Sequence, residues 1–389
     1  SIDLNASGLS NQGAQIQASN SVSINAGSGS VRNNQGASVV AVGGALSVSA
    51  GAVDNSAGAL QSGKDLSIAS QGLNNAGGTV SGQGVTIAAG TGALNNTGGT
   101  LSATAGLSST SGALTNDAGL IQAGSAVVLN TQGAALSNTN SGTDKGILSQ
   151  GSITLQTGDL INQAGFIGAA GNLSATSANV TNSQAGVIAS KGSIDLNASG
   201  LSNQGAQIQA EKNLTVNVAT GSILNQQGFL RAGQILTIDA ASLDNRNTLN
   251  ANAAVMTGIE GSTVLLSANT LKNYLGAVRA ADSLSVLGSG DVDNSNGLIA
   301  SAGNLVVADT QAQAGSNNAI KTQTVTNTGG TILADVGLII DGATLTGEGN
   351  VLSNGDLRVS FLGDYTNPVG AKFEAAGNGT FEVSGTLTN

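Results

Sequence analysis

The chain has 389 residues, a formal net charge of −10, 58 glycines, one proline and seven aromatic residues, with neither cysteine nor histidine. This balance excludes a basic phosphate-binding face, thiolate or histidine catalysis, disulfides, and Cys or His metal ligation. The 40% hydrophobic share leans on Ala and Val, so the interior must be narrow; its regular apolar spacing separates the chain from disordered Gly, Ser and Asn-rich segments.

Taken in order, the chain repeats one pattern: an apolar residue, a small polar one, an Asn, a glycine turn and a short alternating run. It reads LSNQGAQIQA from Leu9, LNNAGGTVSG from Leu73, LTNDAGLIQA from Leu114, VTNSQAGVIAS from Val180, LSNQGAQIQA again from Leu201, and VDNSNGLIAS from Val292. The marker Asn falls at 11, 33, 55, 75, 96, 116, 138, 162, 182, 203, 225, 245, 273, 294 and 327, and twelve of the fourteen intervals lie between 20 and 24 residues. A fixed period in this range signals a solenoid. Helical repeats need about 33 residues and good helix formers, and leucine-rich repeats need several leucines in a fixed frame. This unit has neither.

What it has is alternation, as in Ile16 and Ala18 followed by Val22, Ile24 and Ala26, or Val80 followed by Val85 and Ile87. Period two is the strand signature, and the Gly, Asn and Ser clusters between runs supply turns. The expected fold is all-β: a parallel β-helix of about 16 coils, 20–22 residues per coil, with three short strands in each. A lone coil buries too little to offset the entropy of ordering it, so stability must be shared along the stack.

The marker Asn has a structural reading. An amide turned into the coil corner pairs with its copies above and below, which assigns a ladder role to Asn75, Asn96, Asn116, Asn182, Asn203, Asn225 and Asn294. Segment Ser193–Ala210 repeats Ser1–Ala18 letter for letter, 192 residues away, and the simple explanation is a recent duplication.

The rhythm breaks in three places. The interval from Asn138 is slightly long, and those from Asn245 and Asn294 stretch to 28 and 33 residues. The surplus near 249–261 and 309–324 is expected as loops extruded at one corner, candidates for binding protrusions. Residues 1–340 form the main repeat region. Residues 341–389 gather Phe361, Tyr365, Phe373, Phe381 and the lone Pro368, and read as variant repeats continuing the helix.

Enzymes on β-helices need converging carboxylates. The nearest matches are Asp291 with Asp293 and Asp239 with Asp244, but Asp293 and Asp244 sit just before the marker Asn, a repeat position that Asp54 also fills. No catalytic, cofactor or metal residue is assigned. Calcium nonapeptides and a phosphate loop are missing from the pattern. No apolar run approaches the roughly 20 residues of a membrane span. Ser1 opens inside a repeat without a signal-like segment, the expectation for a piece of a longer protein.

The repeats at Leu160–Ala169, at Leu201–Ala210 with Leu214–Val216, and at Leu271–Ala280 resemble the haemagglutinin repeats of filamentous haemagglutinin and of contact-dependent growth inhibition (CdiA-type) exoproteins. The resemblance covers nearly the whole chain. It implies a right-handed parallel β-helix from a large exoprotein, exported by an outer-membrane two-partner secretion transporter and displayed on the surface of a Gram-negative bacterium. It implies a non-catalytic shaft for adhesion or for presenting a distal receptor-binding or toxin region, with a glycan- or protein-binding adhesin as the alternative and a polysaccharide-degrading enzyme as a distant third. The partners it implies are a host or neighbouring-cell receptor or glycan, with no nucleic acid and no cofactor.

Overall fold

The computed structural model describes residues 1–142, 144–250, 256–310 and 320–389, and its regular elements are all β-strands. The chain divides into two compact units, Ser1–Ala198 and Ser199–Asn389. Each is a parallel β-solenoid, and about 18 turns are present in all. The expected count of about 16 falls short because one turn past Asn327 lacks the marker, which then returns at Asn367 and Asn389. At the turn paired with Val325, the sequence Leu345-Thr346 is followed by Gly347 instead of Asn, and the turns after it begin at Tyr365 and Leu387.

In the first unit a representative turn consists of Leu94–Asn95, Thr100–Ala103 and Leu107–Thr110. Each strand pairs in parallel with its counterpart in the next turn, so Leu94 meets Leu114, Leu101 meets Ile121 and Leu107 meets Val127. Because side chains alternate across a strand, in-register stacking turns the alternating sequence into columns. One inward column runs Leu73, Leu94, Leu114, Leu136 and a second Val80, Leu101, Ile121, Ile147. A third runs Val85, Leu107, Val127, Ile153 and a fourth Ile87, Ser109, Leu129, Leu155. All sixteen side chains are buried. These four columns, with small buried residues such as Ala89, Ala103 and Ala123 beside them, make a narrow core in which Leu, Ile and Val suffice where a globular protein would need Phe or Trp.

The corner after each short strand is a tight turn that demands left-handed backbone. Gly98 takes it with φ +61, and a Cβ added there would meet nothing within 4 Å. Its neighbour Gly99 is constrained differently: a Cβ would lie 2.1 Å from the carbonyl oxygen of Asn75 on the turn below. Ala118, Ala164 and Asn247 occupy the left-handed position in other turns, and Leu275 does so with φ 49, a conformation costly for a bulky residue.

The second unit departs from the three-short-strand expectation. Leu214–Leu224, Ile235–Asp244, Gly258–Lys272 and Ala277–Gly288 each run through a bend that separates two strands in the first unit. The sequence accounts for this in Ile235–Asp244 and Gly258–Lys272, whereas Leu214–Leu224 keeps Gly221 at the bend and its register shifts there. Where the first unit has Gly90-Thr91-Gly92, the second has Ala240-Ala241-Ser242 and Ala268-Asn269-Thr270, which stay extended.

The insertions also have corrected limits. Gly258–Gly261 belongs to a strand, with Ile259 paired to Leu230, so the first insertion ends before it. Leu249 is likewise tied back by its N–H to Leu275 O at 2.8 Å. Asp309 closes the strand Asn304–Asp309 and Thr324 opens the strand Thr324–Thr326, so both lie outside the second insertion. Residues 251–255 and 311–319 of the two expected loops lie outside the described residues. Toward the C-terminus the strand Gly337–Asp341 passes residue 340 without a break. Aromatic rings then replace aliphatic columns: Tyr365 packs 4.9 Å from Phe361 and 5.3 Å from Phe381, centroid to centroid.

Adjacent glycines should therefore fail for different reasons. Gly98→Ala should cost about 1–2 kcal/mol, the penalty for a Cβ in left-handed backbone. Gly99→Ala should cost clearly more, because its Cβ strikes the backbone of the turn beneath. Urea unfolding of both variants beside the parent measures the ranking, and equal losses would contradict the geometry.

Candidate functional site

Two polar ladders follow from the corner. The inner one is built by the marker asparagines, held inward because the short strand before them buries its apolar residue and the chain then turns. In the first unit Asn75 Nδ2 donates to Asn96 Oδ1 at 2.7 Å, Asn96 to Asn116 at 2.7 Å, Asn116 to Asn138 at 2.8 Å and Asn162 to Asn182 at 2.8 Å. In the second, Asn203 donates to Asn225 at 2.8 Å, Asn225 to Asn245 at 2.9 Å, Asn273 to Asn294 at 2.8 Å and Asn294 to Asn327 at 2.8 Å. The second Nδ2 hydrogen also finds partners: that of Asn96 reaches Leu120 O at 3.1 Å and Gly99 O at 3.3 Å.

These amides are 0% exposed. An unpaired buried amide is expensive, whereas Asn75, Asn96, Asn116, Asn225, Asn273 and Asn294 each both receive and give. The spacing does not change across the long intervals either, since Asn245 donates to Asn273 at 2.8 Å over 28 residues and Asn294 to Asn327 at 2.8 Å over 33. Where Gly347 replaces the marker, Asn327 Nδ2 turns to the backbone oxygen of Asn350 at 3.0 Å.

The outer ladder uses the residue just before the marker, which faces outward on the same short strand. Asn74 Nδ2 donates to Asp54 Oδ1 at 3.1 Å and Asn95 Nδ2 to Asn74 Oδ1 at 3.1 Å, while Asn34, the residue just after its marker, donates from Nδ2 to Asp54 Oδ2 at 2.8 Å. Burial pushes the Asp54 carboxyl up, but hydrogen bonds from Ser56, Asn34 and Asn74 outweigh it and hold the group below the usual carboxylate range. Arg32 stands one turn below Asp54 in register, exposed, and among the described residues makes no side-chain hydrogen bond or ion pair. Sequence inspection noted Asp54 only as a repeat position; the signal for the strip was the run of Asp54, Asn74 and Asn95 in successive turns.

Of the carboxylates that the sequence offered for catalysis, Asp291, Asp293 and Asp244 are engaged by neighbouring groups, while Asp239 sits outward on the strand Ile235–Asp244. Asp293 accepts the Ser295 N–H at 3.0 Å, Asp291 accepts the Thr324 hydroxyl, and Asp244 is held by Arg246 through Nε at 2.9 Å and Nη2 at 2.7 Å. Among the described residues no three acidic side chains gather as a metal site would require.

Comparison with known families gives a match to the haemagglutinin repeat over residues 1–43, 21–98, 84–143, 134–218 and 200–273. No curated protein and no solved structure matches the chain.

Two outcomes follow from the ladders. Asn96→Leu leaves Asn75 Nδ2 and Asn116 Oδ1 without their partner, at about 1–3 kcal/mol for each buried group; thermal melting should register the loss, and an unshifted melt would refute the ladder's role. Asp54 has a folded pKa below its unfolded value of 3.8, so its stabilisation is present above that value and is lost as pH falls through the folded one. Asp54→Asn should accordingly lose less melting temperature than the parent between about pH 5 and about pH 2, measured by circular dichroism.

Proposed function

Starting from a chain that belongs to the haemagglutinin-repeat family, we propose that it is a non-catalytic shaft segment of a large secreted surface protein. Its work is to hold a distal receptor-binding or toxin-bearing region away from the cell that displays it. The observation that carries this reading is the inner ladder: the most regular polar side chain of the repeat is consumed by contacts to the next turn, so the repeated unit is specialised for stacking. Family membership supports an extracellular filament, and among the described residues no helix is long and apolar enough to cross a membrane.

The proposal extends to export through an outer-membrane two-partner secretion transporter of a Gram-negative bacterium, as in contact-dependent growth inhibition systems. The lack of cysteine fits it, because a chain without disulfides can thread a pore unfolded and fold outside. Folding there needs no external energy source, since each turn templates the next by parallel pairing. We assign residues 1–340 to the main coils and 341–389 to variant coils with an aromatic core.

A shaft is defined by length. Inserting a further in-register copy of residues 1–192 should lengthen the projecting segment by roughly 40 Å, from about 4.8 Å per turn over about nine turns, with secretion and distal activity retained. Negative-stain electron microscopy of the secreted protein reads the change. Unaltered length, or loss of distal activity in a properly folded product, would overturn the proposal.

A further inference from the structure

The outer face of the short strands in the first unit is hollowed. One open hollow of about 400 Å³ lies over Ser30, Ala52, Gly72 and Ala93, with Arg32, Asp54, Asn74 and Asn95 along one side. A second, of about 630 Å³, adjoins it through Ser30 and Ala52 and widens toward Gly51 and Gln71 at the corner. The floor is low because one small residue per turn occupies it. The side wall is the outer ladder, which fixes its amides before any ligand arrives.

The wall dictates the chemistry it can read. Asn74 and Asn95 each use one Nδ2 hydrogen on the turn below and present the other. Arg32 presents its guanidinium uncommitted. Asp54 Oδ2 accepts only from Asn34 and keeps a lone pair. Three donors, from Arg32, Asn74 and Asn95, and one acceptor, Asp54, therefore line the trough, a complement to hydroxyl groups, which both give and accept. Their repeat is the turn spacing of about 4.8 Å, close to the advance of one pyranose ring in an extended chain. A peptide advances about 3.3 Å per residue and falls out of step with the wall. The net charge of −10 opposes polyanions such as nucleic acid or uronate polymers.

We propose that this trough binds an extended, neutral polysaccharide running along the stacking direction, one sugar per turn, with Arg32, Asp54, Asn74 and Asn95 on its hydroxyls. No aromatic side chain lines the trough, so each sugar contributes weakly and affinity grows with the number of turns engaged. The inference does not rest on the shaft reading, since binding along the side is compatible with any role at the tip.

The test uses the full chain with cellohexaose and β-1,4-mannohexaose as neutral probes and polygalacturonate as the charged one, followed by NMR titration. At least one neutral hexasaccharide should bind, and tighter than its trisaccharide. Ala52→Phe fills the floor and should weaken binding at least tenfold. Arg32→Ala removes an exposed side chain without partners, so it preserves the fold whatever Ala52→Phe does, and should weaken binding several-fold. Ser67→Phe, outward on another strand, should bind as the parent does. Failure of both neutral probes, preference for polygalacturonate, or parental affinity in Arg32→Ala would overturn the proposal, while the length experiment on the shaft would stand unaffected.

Discussion

The structure depends on satisfying a buried corner. A solenoid turn must change direction in the tight space between its short strand and the next strand, where backbone groups leave the sheet ladder and water is excluded. An asparagine at that point resolves the difficulty because its side chain carries donor and acceptor together, the two halves of a peptide group. Asn96 takes the place of a backbone unit there, receiving from Asn75 and giving to Asn116 and to Leu120 O. Serine offers too short a reach and aspartate would bring charge into a closed column, so the position is restricted even though neighbouring ones drift freely.

The glycine pair belongs to the same constraint. Closing the corner brings successive turns so near that the carbonyl of one Asn occupies the volume where a Cβ would sit on the next turn, as Gly78, Gly99 and Gly119 each show toward Asn55, Asn75 and Asn96. The core follows as well. Once the corner sets the turn spacing, every inward position stacks on its copy, and four columns of modest side chains form a continuous apolar wall. Long insertions are tolerated for the same reason: the chain can leave the corner for many residues, provided it returns to place the next amide within 3 Å of the last, as Asn273 and Asn327 do.

With the inside committed to stacking, any recognition has to be carried by outward positions. The outer ladder shows how little is needed. Asp54, Asn74 and Asn95 differ from the consensus by nothing conspicuous, yet in register they become a rigid polar strip beside a floor of small residues. The first unit thereby combines a mechanical interior with a chemically distinct side.

The sequence by itself determined the period, the parallel stacking, the inward columns and the identity of the corner asparagine, because each is a one-dimensional regularity: alternation of two along a strand and recurrence of about 21 along the chain. Leu101 and Ile121 could be placed in one column by counting alone. Only the tertiary structure decided where counting fails. It moved Gly258–Gly261 into a strand, because pairing with Phe229–Arg231 outweighs the look of an insertion. It merged strands at Ala240 and Ala268, where extended backbone pairs across the bend, and raised the number of turns past Asn327 within the expected variant repeats, at Gly347, where the marker is missing and Asn327 turns to a backbone oxygen. It also brought Arg32, Asp54, Asn74 and Asn95 to one trough. Residues about twenty apart become neighbours only through the register of the sheet, and register depends on every turn at once.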